Sequence, residues 1–352
     1  MVQTRSQRAK RAGDDDGPDA TSGAEAPGNA RATKPKPAQR IPQIPTDMAL
    51  LLAVLIFISV RTFLASRGDA SAGAMTVALA SRGATVGFEV LAAARCASFL
   101  VIAHRLYLLV VVRPPFELKA NYLATTQFPL RPVKLWGLRR LVTFTVQTWT
   151  LQGIYFALAT AAAVAGARGL EAPPWLPLKA TRYLFEVAWA VSHLVTSVTT
   201  YVLVPAACEK FDGDVRDLPL LQADQLVLHN VNCILMHVDT LLSGQYLAYD
   251  HAGAALLYAC YYVSFAWTRA RYVAGGVPYF FLDYSLPRAL AFKLHLGLAG
   301  VVVLFFYLGV FVTTQLGEIA VPARCLVHVL IVGAIVRFRP PPKYRARPTK
   351  AD

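Results

Sequence analysis

Apolar residues in this chain gather into runs of about 20, separated by short polar breaks. A run of that length crosses the hydrocarbon core of a bilayer as one helix. Eight such runs are read at 47–65, 88–112, 141–163, 183–206, 220–244, 252–268, 292–314 and 320–337. Hydrocarbon offers the backbone no hydrogen-bond partners, so each segment must satisfy its own N–H and C=O groups, as a helix does. The expected fold class is therefore all-α: a multi-pass transmembrane helical bundle of about eight helices. Composition agrees. Only 16% of the residues are charged and 55% are hydrophobic, against about 25% charged in ordinary soluble domains.

Residues 1–45 hold almost no large apolar side chains and read as a disordered basic cytoplasmic tail, because they cannot bury enough surface to offset the entropy of folding. No apolar segment follows the first basic cluster, so no secretory leader is expected, and Asp14, Asp15 and Asp16 argue against a transit peptide. Residues 46–337 form the predicted transmembrane domain and 338–352 a second basic cytoplasmic tail. The 113–140 loop carries Arg113, Lys119, Arg131, Lys134, Arg139 and Arg140 against Glu117. The carboxy end carries Arg337, Arg339, Lys343, Arg345, Arg347 and Lys350 against Asp352. An even number of spans puts these regions and the amino tail on one side, which the positive-inside rule makes cytoplasmic. That placement also explains the formal net charge of +14 without a nucleic-acid partner, for which no folded basic domain exists. The basic carboxy tail could also lean on anionic membrane lipids. The cysteines Cys96, Cys208, Cys233, Cys260 and Cys325 form no CxxC or Cys/His metal pattern, so no disulfide framework, metal or cofactor is expected.

Polar side chains inside a spanning helix are costly and face the bundle interior or a wet cavity. In the fifth run, Gln225, His229, Asn232, Met236, Asp239 and Ser243 recur at spacings of 4, 3, 4, 3 and 4, which is one continuous helix face. His229 and Asp239 lie about three turns apart along it, so each is expected to find a partner on another helix. His237 lies on a different face. In the third run, Thr145, Thr148 and Gln152 share one face, and Thr143, Gln147 and Thr150 share another. The fourth run adds Glu186, His193, Ser197 and Thr200. There Glu186 is placed to pair with Arg182, and His193 competes with His229 for the same cavity.

A hydroxyl and an imidazole from separate helices can act as nucleophile and base. A carboxylate or amide can fix the imidazole tautomer, and Gln or Asn can donate to an oxyanion. If the third and fifth helices enter from the same side, Thr145 and His229 differ in depth by less than about 10 Å.

The stretch Phe144-Thr145-Val146-Gln147-Thr148-Trp149-Thr150-Leu151-Gln152-Gly153-Ile154-Tyr155-Phe156 resembles the androgen-induced and androgen-dependent membrane proteins, which hydrolyse fatty acid esters of hydroxy fatty acids. Thr145 and Gln152 keep that family's Thr-to-Gln interval of seven, followed by the aromatic pair Tyr155-Phe156. His229 and Asp239 keep its His-to-acid interval of ten. Gly275-Gly276-Val277-Pro278-Tyr279-Phe280-Phe281-Leu282 is similar to its Gly/aromatic/Pro stretch. The resemblance covers residues 88–316. It implies a six-helix core with one helix added at each end, and an intramembrane threonine hydrolase acting on lipid esters. Thr145 would be its nucleophile and His229 its partner, with Gln152, Asn232 and Asp239 in support. Thr143, which also precedes a Phe, is the competing nucleophile. The Leu151–Phe156 segment is also similar to the rolling-stone-like multi-pass proteins, for which no enzyme chemistry is implied. The alternatives are a non-catalytic endomembrane scaffold, receptor or small transporter, its polar stripe holding helices together, or a proton-coupled transporter relaying through Glu186, His193, His229 and Asp239.

Overall fold

The computed structural model describes residues 41–66, 86–118, 122–129, 132–210, 218–315 and 319–339. The tails predicted at 1–45 and 338–352 lie outside the described residues, apart from 41–45 and 338–339.

The protein is a transmembrane helical bundle. Its helices are α1 (Thr46–Ser66), α2 (Phe88–Tyr107), α3 (Phe144–Ala167), α4 (Leu178–Val198), α5 (Val204–Lys210), α6 (Ala223–Ser243), α7 (Ala252–Arg269), α8 (Arg288–Val310) and α9 (Val321–Ile335). α4 runs through a wide π-helical turn at Thr199–Leu203 into α5. Pro205 lies one turn beyond Tyr201 and has no N–H to return to it, which favours a widened turn there. A short antiparallel hairpin, β1 (Phe116–Leu118) with β2 (Val133–Leu135), pairs Phe116 with Leu135. It sits in the basic loop between α2 and α3, an addition to the all-α expectation.

Six helical segments among the described residues are long and apolar enough to cross a membrane: Thr46–Ser66, Phe88–Val112, Phe144–Ala167, Leu178–Glu209, Ala223–Ser243 and Arg288–Gln315. They match six of the eight predicted runs. The remaining two runs are also helical, as α7 and α9, but fall short of spans. α7 is diluted by Tyr, Ser, Thr and Arg side chains, and α9 is only 15 residues long.

The surface inverts the soluble pattern. Leu50, Phe57, Leu304 and Leu330 are each more than 60% exposed, whereas Arg95, Gln152, Glu186, His193 and Asn232 are buried. Such a surface is stable only against hydrocarbon. α4 is the central helix, with 72% of its apolar window buried against 11% for α1. It packs on α3, α6, α7 and α8. The main core joins Trp149, Tyr155 and Phe156 of α3 to Phe185 and Trp189 of α4, Met236 of α6 and Val302 and Phe306 of α8. A second core folds the 277–286 loop onto α7 and the start of α1 through Met48, Tyr262, Trp267, Leu282 and Tyr284.

α1 lies along α7, and Gly253 sets how closely they approach. A Cβ at this position would come within 2.7 Å of the Ser59 carbonyl oxygen and the Phe63 amide nitrogen. Small residues allow such crossings, because in lipid helix association depends on close packing. Gly253→Val is expected to destabilise the detergent-purified protein by about 1–3 kcal/mol. A lowered thermal midpoint is the readout, and an unchanged one would mean α1 is not tightly seated.

Candidate functional site

The predicted stripe of α6 faces inward. His229, Asn232, Met236, Asp239 and Ser243 are all buried, and Gln225 is half-buried at the end of the helix. α3 meets this stripe through three side-chain bonds. Trp149 Nε1 donates to the Leu228 carbonyl at 2.6 Å, Gln152 Nε2 donates to the Asn232 carbonyl at 3.0 Å, and the Tyr155 hydroxyl donates to the Asp239 carboxylate. Partner numbers rise together on both helices, so α3 and α6 run parallel. Thr145 then lies one turn before the Trp149–Leu228 level, about 6 Å along the axis. α4 closes the third side: Thr196 Oγ1 donates to the His229 carbonyl at 2.7 Å and lies 3.2 Å from Asn232 Oδ1.

Two polar atoms in this seam have no partner. Gln152 Oε1 and Asn232 Nδ2 are buried and unpaired among the described residues. An orphaned buried polar atom costs about 1–3 kcal/mol, so a concentration of them marks a place where a ligand or water can be bound. His229 has its Nδ1 2.8 Å from the Gln225 carbonyl of its own helix. The carbonyl can only accept, so Nδ1 carries the proton and Nε2 keeps a lone pair, the form a general base requires.

Thr145 is the second residue of α3 and lines an apolar pocket between α3, α4, α7, α8 and the 279–281 loop. The pocket is narrow and partly open to the outside, and is walled by Phe144, Leu194, Val198, Tyr262, Phe281 and Leu298 among others. No side chain of the Thr143 cap bonds back to the start of α3. Instead the hydroxyl of Tyr279 stands there, interacting with the Thr145 hydroxyl and with the backbone of Phe144 and Thr145. Burial pushes the Tyr279 phenol above its ordinary value, with the Thr145 hydroxyl opposing the rise, so it remains a neutral donor. Thr145 and His229 share no hydrogen bond. Thr143, the competing nucleophile, is engaged elsewhere: its hydroxyl donates to the Arg140 carbonyl at 3.1 Å. On the same face Gln147 bonds to the Leu141 carbonyl and Thr150 to that of Val146.

Asp239 finds its partner on another helix, as expected. It is held by Arg95 of α2, whose Nε donates to Oδ1 at 2.7 Å, and by Tyr155. Both charged side chains are at most 2% exposed. Arg95 Nη1 also reaches the Ala159 carbonyl at 3.3 Å, and Gln245 lies 3.0 Å from the Tyr155 hydroxyl. Sequence reasoning passed over Arg95, although an Arg in the middle of an apolar run demands a buried partner. His193, read as the rival for the His229 cavity, points instead at His237, with Nε2 to Nε2 at 2.9 Å. Glu186 does pair with Arg182, at 3.3 Å, and also holds His251 Nδ1 at 2.7 Å and the Ala248 amide at 3.1 Å, which ties the α6–α7 connection to α4.

No protein-family model matches the sequence, and no curated protein and no solved structure matches it either.

Proposed function

We propose that this membrane protein is an intramembrane hydrolase of fatty acyl esters, with Thr145 as nucleophile and His229 as general base. The observation that carries the reading is that Thr145 lines a mostly apolar pocket inside the bundle, beside a neutral phenol. An acyl chain is the ligand such a wall accepts. The positive end of the α3 dipole favours negative charge, so an alkoxide or oxyanion developing at Thr145 is stabilised there. Tyr279 is placed to donate to that oxyanion. Asn232 Nδ2, free of partners, supplies a second donor deeper in the seam. On this reading His229 Nε2 takes the Thr145 proton in the substrate complex, since hydrogen bonds at catalytic sites often tighten only with substrate bound. The ester resemblance of the Thr145–Phe156 and His229–Asp239 segments supports the same reading. Branched fatty-acid esters of hydroxy fatty acids are the substrate class to assay first.

The expected result is turnover of such an ester by the reconstituted protein, with Tyr279→Phe lowering kcat by about a hundred- to a thousand-fold, the usual cost of losing one oxyanion donor. An active protein whose rate is unchanged by Tyr279→Phe would remove Tyr279 from the mechanism.

A second reading is favoured by the bonds from Trp149, Gln152 and Thr196 to backbone carbonyls of α6. On that reading the stripe fastens helices together and the protein is a scaffold or receptor. Each such bond is worth about 0.6 kcal/mol in a membrane. Truncating these three side chains then lowers the thermal midpoint in small steps, and no ester is hydrolysed under any condition.

A further inference from the structure

A second polar cluster lies apart from Thr145 and His229. His193 of α4 meets Cys233 and His237 of α6, and the metal-ligating atoms of all three lie within 4.8 Å of one another. All three are buried, as is His328 of α9, whose Nδ1 is 2.7 Å from His237 Nδ1. Cys233 and His237 are one helical turn apart, so they project from one face of α6. No carboxylate joins the group, and the Trp189 ring covers it, 4.5 Å from the His193 ring and 4.7 Å from that of His237.

The hydrogen bonds fix the proton positions. His193 Nδ1 lies 2.7 Å from the Trp189 carbonyl and must donate to it, which leaves a lone pair on Nε2. In a neutral chain His237 Nε2–H donates to that lone pair, and His328 Nδ1–H donates to His237 Nδ1. A metal ion between the two Nε2 atoms needs only a tautomer shift. The His237 proton moves to Nδ1 and is donated to His328 Nδ1, whose own proton moves to Nε2. The histidines lose no proton, and the Cys233 thiol releases one. Each ligating imidazole would then donate its other N–H to a fixed acceptor, the Trp189 carbonyl or His328, as metal-bound histidines do.

We infer that His193 Nε2, His237 Nε2 and the Cys233 thiolate form a binding site for a thiophilic d10 cation, Zn(II) or Cu(I), with His328 orienting His237. One sulfur and two nitrogens are the donor set these ions select. Nitrogens bound to one tetrahedral ion at 2.0–2.1 Å stand about 3.4 Å apart, so the His193–His237 pair has to open only slightly from 2.9 Å. The thiolate offsets the charge of the ion, fully for Cu(I), which suits a site without a carboxylate in a bundle interior. The bound ion would tie α4 to α6 at a level where α9 also docks.

The test is metal content and metal titration of the full chain purified in detergent. Zn and Cu are counted by mass spectrometry. The stripped protein is then titrated separately with Zn(II) and Cu(I) against a competing chelator, and with Co(II) as a spectroscopic probe. The expected result is one equivalent of Zn(II) or Cu(I) per chain, abolished in His193→Gln and Cys233→Ser at unchanged helicity. His328→Ala should weaken binding about 10- to 100-fold, as loss of an orienting partner does. A variant with Cys96, Cys208, Cys260 and Cys325 all changed to Ala leaves Cys233 as the sole thiol. Its cobalt complex should show a thiolate-to-metal charge-transfer band, a readout that holds even if Cys233→Ser fails to fold. Absence of uptake of all three metals by folded wild type, or uptake unaltered by His193→Gln and without that band, overturns the site.

Discussion

Asp239→Asn is expected to lower the unfolding free energy of the protein by about 3–5 kcal/mol, the usual cost of removing one partner from a buried ion pair. The change leaves the Arg95 guanidinium charged, buried and facing an amide in place of a carboxylate. It also weakens the acceptor of the Tyr155 hydroxyl, so α2, α3 and α6 loosen together. Arg95→Met should cost a similar amount, because it strands the carboxylate. The double variant Arg95→Met/Asp239→Leu should recover most of the loss, since well-packed apolar replacements of a buried pair are often neutral or better. Denaturant titration in mixed micelles measures all three. The pattern separates a structural Asp239 from one that serves His229. If Asp239→Asn kept full stability and lost only catalysis, the carboxylate would belong to the site rather than to the α2 clasp.

Thr145→Ala and His229→Ala are each expected to reduce ester hydrolysis by at least about a hundred-fold, the low end of what a positioned base contributes, while leaving the thermal midpoint close to wild type. Neither side chain makes a bond whose loss orphans a neighbour on another helix. The Thr145 hydroxyl interacts with Tyr279, which keeps the backbone of Phe144 and Thr145 as partners. His229 Nδ1 bonds within its own helix. A nucleophile and its base act as one unit, so the double variant should be little slower than the slower single variant. Additive losses would mean that the two residues act in separate steps. Thr145→Ser should retain activity, because it keeps the hydroxyl.

The inward stripe of α6 was legible because its 3-and-4 spacing can only be one helix face, and burying five of its side chains follows from the cost of exposing them to lipid. The engagement of Thr143 at the start of α3 was not legible, because a cap and an early helical residue look alike in a sequence. Partnerships between helices were the hardest to read. His193 and His229 share a residue type, yet helix neighbours are set by packing, and α4 places His193 beside His237. Arg95 could have been paired in advance, since it lies well inside its apolar run, away from either end, and Asp239 is an acid well inside another. The role of Tyr279 was hidden because it enters the site from a loop that folds back over α7. The Cys233–His237 spacing shows a shared face, but the third ligand comes from α4, where no local pattern marks it. α9 reads as a peripheral addition, yet it brings His328 to the buried histidines, and its end is fastened by Thr200 to the Ile335 carbonyl and by Asn230 to that of Arg337.

The most direct measurement is covalent labelling of the folded, purified protein with a fluorophosphonate, followed by peptide mapping, in wild type, Thr145→Ala and Thr143→Ala. The account predicts one phosphonylated residue, Thr145, with labelling lost in Thr145→Ala and kept in Thr143→Ala. A folded wild type that is never labelled, or that is labelled at Thr143, would contradict it.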